Sequence, residues 1–385
     1  MTETRANRSQ PMIILGLVAL VVILFWLLVA KHASINGSGA SGIQTEITGG
    51  DNPKSQTQYH WKMVTTWPKN FPGLGSAATN FSRLVDEMSE GRLTVSVYGA
   101  GELVPALGVF DAVSSGSVEA GHGAAYYWKG KNTATQFFTS VPFGMNAQEM
   151  NGWLYYGGGM ELWREIYEPF NIVPFAGGNT GIQMAGWFNK EINTMNDIKG
   201  LKMRIPGLGG EVWNRAGGSS VNIPGGELYT ALQTGVIDAT EWVGPYNDLA
   251  FGFYQVADYY YYPGWHETGS TLELIVNKDA LEALPKDLQV IVETASRMAN
   301  QDMLDEFTGR NNTALQELIN THKVDVRPIP KPVLLELEAI AHQIYSEEAE
   351  KNPDFKRVYE AYKTFQDGVE TYHKVSEQAY YELRE

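Results

Sequence analysis

The chain has 385 residues, 29 Lys and Arg against 44 Asp and Glu, a formal charge of −15 and no cysteine. That excludes disulfide frameworks, zinc–thiolate and iron–sulfur centres and thiol nucleophiles, and it argues against nucleic acid as a partner. A hydrophobic fraction of 43% with 12% aromatics argues against disorder, and the length suggests two domains.

Residues 12–30 form an uncharged apolar run with Arg5 and Arg8 before it and Lys31 after it. At ~1.5 Å per residue the run nearly spans a hydrocarbon core of about 30 Å. It is longer than the ~7–15 apolar residues of a signal peptide, and Leu28-Val29-Ala30 is a poor cleavage site, so residues 1–30 read as a retained anchor in preference to a removed signal. Basic residues ahead of the run place the remainder of the chain outside the cytoplasm. Residues 31–58 are dominated by Gly, Ser, Thr, Asn and Gln and read as a tether.

The folded part is expected to begin near Tyr59. Residues 59–66 read as a strand and 76–90 as a helix, with Phe81, Leu84, Val85 and Met88 on one face and Gly91 as its stop. A strand at 92–98, a helix at 103–115 and a short strand at 117–122 follow. This β-α-β-α-β order is that of an α/β layer with a parallel sheet. Strands are then expected at 182–188, 201–205, 236–242 and 271–277, with helices at 211–216 and 226–234. After Pro285 a helix of unusual length runs to about residue 322. A short strand at 324–327 and helices at 334–349 and from 355 onward complete the chain.

Signatures of catalysis are scarce. There is no nucleophile elbow, no H-E-x-x-H and no P-loop. Gly73-Leu74-Gly75-Ser76-Ala77-Ala78 fits a relaxed dinucleotide pattern, but TWPKNFP separates it from the preceding strand, so it reads as a loop opening a helix. His122, at a strand end, reads as structural.

The informative residues lie at strand ends. Arg204 closes the strand LKMRI before Pro206, at the sheet edge where open α/β folds take ligands, and its guanidinium matches a carboxylate. Glu241 and Trp242 end a strand before Gly244-Pro245. Glu267 directly precedes another strand, and Gln183 lies in GNTGIQMAGW. Carboxylate and carbonyl oxygens suit hard cations.

The segments "GNTGIQMAGWF", "IKGLKMRIPG", "GGELYTALQTGVIDATEWVGP" and "GWHETGSTLELIVNKDALEALPKDLQ" resemble the solute-binding proteins of tripartite ATP-independent periplasmic (TRAP) transporters, over residues 61–322. Glu241-Trp242 and Gly264-Trp265-His266-Glu267 resemble the branch that binds 2-oxo or 2-hydroxy monocarboxylates with a metal ion. The resemblance implies a two-lobed α/β periplasmic-binding-protein-like fold with a long helix spanning both lobes. Lobe I would take residues 59–180 and about 270–300, lobe II residues 181–269 and about 300–330, and residues 331–385 would form C-terminal helices. It implies that Arg204 pairs with the ligand carboxylate, that Gln183, Glu241, Glu267 and the Trp242 carbonyl hold Ca²⁺ or Na⁺, and that Tyr126 or Tyr127 reaches the ligand from the other lobe. Asn179 is a further ligand-contact candidate. Two carboxylates would favour Ca²⁺.

The expected function is therefore capture of a small organic acid such as pyruvate or lactate in the periplasm, for the membrane subunits of a TRAP transporter. The competing readings are an exported metal-dependent enzyme acting on small carboxylates, which lacks a recognisable acid–base pair, and a sensory binding protein, which would need a signalling partner. The C-terminal tyrosines, among them Tyr345, Tyr362, Tyr372, Tyr380 and Tyr381, offer either packing on the lobes or a homodimer contact.

Overall fold

The structure is a computed structural model that describes residues 57–384. The anchor expected at 1–30 and nearly all of the tether lie outside the described residues. Among the described residues no helix is long and apolar enough to cross a membrane.

Among the described residues eleven strands occur, in chain order: β1 Tyr59–Thr65, β2 Leu93–Tyr98, β3 Ala120–Gly123, β4 Ile172–Asn179, β5 Gly186–Phe188, β6 Lys202–Arg204, β7 Ser219–Val221, β8 Ala239–Thr240, β9 Tyr259–Tyr262, β10 Thr271–Asn277 and β11 Asp325–Pro328. They form two sheets, one per lobe, ordered β2-β1-β3-β10-β4 and β11-β9-β5-β8-β6-β7. The chain makes lobe I, crosses to lobe II after β4, returns for β10, and crosses again.

That return changes one expectation. β1 pairs parallel with β2 and β3, but β10 inserts antiparallel between β3 and β4, so the first sheet is mixed. β10 is buried at all seven positions, as a central strand covered on both faces must be.

Several elements are shorter than the sequence suggests. The strand expected at 182–188 is confined to Gly186–Phe188, and that at 236–242 to Ala239–Thr240. Ladder partners exist only over those residues. The flanks nearest the cleft, residues 182–185 and 241–242, carry Gln183 and Glu241. The helix expected at 103–115 is a single 3₁₀ turn followed by Val109–Ser114. Helices Ala147–Tyr156 and Gly159–Tyr167, strand β4, and the short strands β7 and β9 have no counterpart in the sequence reading.

The long helix runs over Lys286–Asn320, about 50 Å at 1.5 Å per residue. Its first half buries Leu288, Val292, Ala295 and Ala299 against Trp61, Met63, Phe81 and Leu274 of lobe I. Its second half buries Phe307 and Leu318 in a cluster that joins Trp67 and Leu74 of lobe I to Trp187, Leu228 and Trp242 of lobe II.

The C-terminal helices Lys331–Lys351 and Pro353–Val375 divide their tyrosines. The Tyr345 hydroxyl donates to the Pro142 carbonyl at 2.8 Å, and the Tyr362 oxygen accepts the Met145 N–H at 2.7 Å. Both residues are buried, whereas Tyr372, Tyr380 and Tyr381 are exposed.

The glycine-rich segment at 73–78 serves packing. Gly73 has φ +68°, and a Cβ there would lie 2.6 Å from the Phe307 ring.

Candidate functional site

Arg204 is the last residue of β6, and Glu241 directly follows the neighbouring parallel strand β8. Both strands therefore end at one sheet edge and aim their final side chains into the cleft. Arg204 and Glu241 are 1% and 0% exposed. Arg204 Nη1 donates to Glu241 Oε1, Nε donates to the Ile223 carbonyl at 3.2 Å, and Nη2 donates to the Tyr127 hydroxyl at 3.2 Å. The guanidinium also lies over the Trp242 ring, 5.1 Å from its centre. Burial alone would weaken the Arg204 charge, but Glu241 and then the tyrosines outweigh it and hold its pKa above the usual value.

Glu267 enters from the second crossing between lobes. The turn that carries it is fixed by backbone bonds: Glu267 N–H donates to the Gly264 carbonyl at 3.2 Å, Gly264 N–H to the Gln183 carbonyl at 2.9 Å, and Gln183 N–H to the Glu267 carbonyl at 3.1 Å. Gly264 has to be glycine, because a Cβ would lie 2.4 Å from the Gln183 carbonyl oxygen. Gln183 Nε2 donates to Glu267 Oε2 at 2.7 Å, and the Ser270 hydroxyl donates to the same oxygen at 2.5 Å. Burial, followed by the charge of Glu241, pushes the Glu267 pKa up.

Tyr126 and Tyr127 reach the cluster together. The sequence leaves open which of the two reaches the ligand, because neighbours on an extended backbone would face opposite ways. They instead belong to the 3₁₀ turn Ala125–Trp128, which directs both rings into the cleft. Their rings meet edge to face at 4.8 Å. Burial, then the nearby Glu267, raises Tyr126 well above the ordinary phenol value. Gly207, at the start of helix Gly207–Arg215 in lobe II, has φ +60°, and a Cβ there would come within 3.2 Å of Tyr126 Cβ.

Asn179 stands one layer back. Its side-chain Oδ1 accepts the Gly181 N–H at 2.9 Å, and its Nδ2 donates to Thr271 Oγ1 at 3.2 Å and to the Gly269 carbonyl at 3.4 Å. It braces the two crossing segments that carry Gln183 and Glu267. His122 lies below, with Nε2 on the Gly177 carbonyl at 3.0 Å and its pKa lowered to about 4 by burial.

The cluster holds more acceptors than the protein satisfies. Among the described residues, Glu241 Oε2, Gln183 Oε1 and both His266 nitrogens are buried without a hydrogen-bond partner. Oxygen or nitrogen atoms of Glu241, His266 and Glu267 lie within 4.8 Å of one another. Leaving such groups unpaired costs about 1–3 kcal/mol each, a cost that a bound cation removes. The residues fit a cation. His266 is the residue that sequence reasoning left out of the site. Its signal was its place in the quoted GWHETG segment, beside Glu267.

The description "Bacterial extracellular solute-binding protein, family 7" matches residues 63–352. The chain belongs to that family. A monocarboxylate 2-oxoacid-binding periplasmic protein of Nostoc sp. PCC 7120 is 46% identical over 320 residues, 83% of this chain and 87% of the relative. A TRAP periplasmic solute-binding protein of Pseudoalteromonas atlantica with bound sodium and pyruvate is 47% identical with a TM-score of 0.83, covering 85% of this chain and 99% of the other. Its counterpart from Colwellia psychrerythraea, with bound calcium and pyruvate, is 46% identical with a TM-score of 0.83 and the same coverage. Family 7 proteins of this kind are receptors with two lobes about a cleft, and the buried cluster above lies in that cleft.

Proposed function

We propose that this protein is the extracytoplasmic receptor of a TRAP-type transporter and captures a small 2-oxo or 2-hydroxy monocarboxylate, pyruvate and lactate being the simplest, together with Ca²⁺ or Na⁺. The observation that carries this reading is the buried set of Arg204, Glu241, Glu267 and Gln183 with unpaired oxygens turned inward. In this role Gln183, Glu241, Glu267 and the Trp242 carbonyl hold the cation, which supplies positive charge between two carboxylates. Such a ligand offers it a carboxylate oxygen and the adjacent C2 oxygen. Arg204 complements the remaining carboxylate charge, Tyr126 and Tyr127 close over the ligand from lobe I, and the Trp242 ring excludes water.

The role is capture without turnover, followed by delivery to membrane subunits. An N-terminal anchor would keep the receptor near them and raise its effective concentration there. The test is calorimetric titration of pyruvate into metal-stripped protein, alone and with Ca²⁺ or Na⁺. Binding should require the cation, and pyruvate should be recovered unchanged. Arg204→Ala should lose about 2–5 kcal/mol of affinity, as expected when one partner of a buried charge pair is cut away. Metal-independent binding, or full affinity in a folded Arg204→Ala protein, would count against the reading.

A further inference from the structure

We propose that the groove between helices Ala147–Tyr156 and Gly159–Tyr167 and the first half of the long helix is a second ligand site, which takes an aromatic carboxylate with a hydroxyl at its far end. The site is separate from the cleft and does not depend on what the cleft binds.

The groove has a volume of about 890 Å³, within the ~300–1,000 Å³ of small-molecule sites. None of Gln183, Arg204, Glu241 and Glu267 lines it. Its floor is apolar, with Leu154, Met160, Phe175 and Ala176 all buried. Polar side chains join the two short helices to the long one. Asn300 Nδ2 donates to Asn151 Oδ1 at 2.8 Å. The Arg297 guanidinium stacks over Tyr155, 4.1 Å from the ring centre. Arg164 Nη2 reaches Glu293 Oε1 at 3.4 Å. Packed helices usually meet through interlocking side chains at close range. Here long polar groups span the gap, and the space between the helices stays open.

The bridging groups have bonding capacity left over. Stacking occupies the face of the Arg297 guanidinium and leaves its edge, which carries the N–H donors, free for a carboxylate. Among the described residues Arg297 has no carboxylate partner, since Glu293 pairs with Arg164. Tyr155 stays a neutral ring beneath it, because burial pushes its pKa up to about 12. Arg164 stands over Phe175, 5.9 Å from the ring centre. Its pair with Glu293 is long and exposed, the kind that contributes little, so an incoming carboxylate competes for it readily. The other acid of the groove, Glu161, lies in the first turn of its helix, where the helix dipole offsets its charge.

The far end asks for a donor. Asn300 lines the groove and is 2% exposed, and its Oδ1 has no hydrogen-bond partner. A buried acceptor of that kind is normally satisfied. Glu293 and Asn300 stand two turns apart on the long helix, about 10 Å along its axis, a span that one ring with a substituent at each end covers. A carboxylate at one end meets Arg297 and Arg164. The ring lies on Phe175 and Met160, which favour an aromatic group. A hydroxyl at the other end donates to Asn300.

The test uses the purified receptor with Ca²⁺ and saturating pyruvate, so that the cleft is filled. The probe is 4-hydroxyphenylacetate, titrated by calorimetry and followed by saturation-transfer NMR. It should bind saturably without displacing pyruvate. Phenylacetate, which lacks the hydroxyl, should bind about fivefold more weakly, and 4-hydroxyphenylethanol, which lacks the carboxylate, about tenfold or more. Arg297→Gln, a change at an exposed position, should weaken the probe about tenfold and leave pyruvate affinity as it is. Absence of saturable binding overturns the proposal. So does displacement of the probe by pyruvate, which would put it in the cleft, and so does equal affinity in the Arg297→Gln protein. Should pyruvate itself fail to bind, the receptor reading above fails, and Arg297→Gln alone still decides the groove.

Discussion

At the scale of residues, the site is built from charges whose neighbours are also their partners. Arg204 spends one nitrogen on Glu241 and another on Tyr127, so the guanidinium is aimed before any ligand arrives. Removing the Tyr127 hydroxyl should loosen that aim. We expect Tyr127→Phe to lower pyruvate affinity by about 1 kcal/mol, roughly fivefold, the usual net worth of one hydrogen bond. Calorimetry with Ca²⁺ present checks this, and unchanged affinity would assign Tyr127 to packing. Glu241→Gln should lose far more, because it removes a proposed cation ligand and leaves Arg204 buried without its counter-charge. Metal titration of the folded variant should show the loss. That Arg204, Glu241, Glu267 and Gln183 would meet was legible in the sequence, because Arg204 and Glu241 close neighbouring strands and Gln183 and Glu267 lie in motifs just ahead of strands. Tyr126 and Tyr127 were half-legible. Two neighbouring tyrosines say nothing of whether the backbone is extended or coiled, and the 3₁₀ turn decided the matter. Asn179 looked like a ligand contact, but its amide is committed to the crossing segments.

At the scale of elements, the same limit recurs. Strands that end where function begins look longer in sequence than they are, as at 182–188 and 236–242, because strand-favouring residues such as Ile182, Val236 and Trp242 extend beyond the paired residues. Helix Ala147–Tyr156 escaped notice because its aromatics and glycine blur the period, whereas Gly159–Tyr167 carries Met160, Trp163, Ile166 and Tyr167 on one face, a stripe too short to stand out between Gly157-Gly158 and Pro169. β10 was legible to the residue, but its place between β3 and β4 was not, since pairing partners lie far away in the chain. β10 also carries Glu273, a fully buried carboxyl that accepts from Trp128 Nε1 and from the Tyr167 hydroxyl at 2.7 Å. It thereby ties the strand to the turn that presents Tyr126 and Tyr127. Burial pushes its pKa from 4.5 up to about 7. The folded protein thus holds this proton more tightly than the unfolded chain. The stabilisation is fully present below pH about 4.5 and is lost as pH rises through about 7. Glu273→Gln keeps an acceptor and cannot ionise. The stability difference, variant minus native protein, should therefore grow in favour of the variant between pH 5 and 8, by a few kcal/mol at most. Denaturant titrations across that range measure it, and a pH-independent difference would refute it.

At the scale of the whole molecule, the charge of −15 opposes an anionic ligand, so local positive charge has to overcome the field of the protein. Burial of Arg204 and Glu241 supplies the low-dielectric surroundings in which Arg204, together with the proposed cation, would do so. The contacts that hold the lobes together begin a few residues after Glu241 and Trp242. Asn247, on helix Pro245–Phe251 of lobe II, donates from Nδ2 to the Pro72 carbonyl of lobe I at 2.9 Å. Phe251 of the same helix meets Phe71 of lobe I with ring centres 4.4 Å apart. Glu306 of the long helix accepts from the Tyr246 hydroxyl of lobe II at 2.9 Å and from the Ser76 hydroxyl of lobe I at 3.2 Å. The segment that begins with Glu241 and Trp242 of the buried cluster therefore runs directly into the interlobe contact, so a ligand bound at the proposed site could favour the arrangement in which the lobes meet. A ligand shifts such an equilibrium by its preference for the closed state. Asn247→Ala should remove a closed-state bond without touching the ligand. The expected result in stopped-flow fluorescence is pyruvate dissociation faster by roughly fivefold, equivalent to about 1 kcal/mol, with the association rate nearly unchanged, as is usual when a bound-state contact is lost. Because Asn247 is fully buried, a global loss of stability has to be separated from an effect on closure. Phe71→Leu, altered on the lobe I side of the same contact, should show the same faster release. If both variants fold and release pyruvate at the native rate, this contact does not hold the lobes closed, and closure depends on the ligand and cation alone.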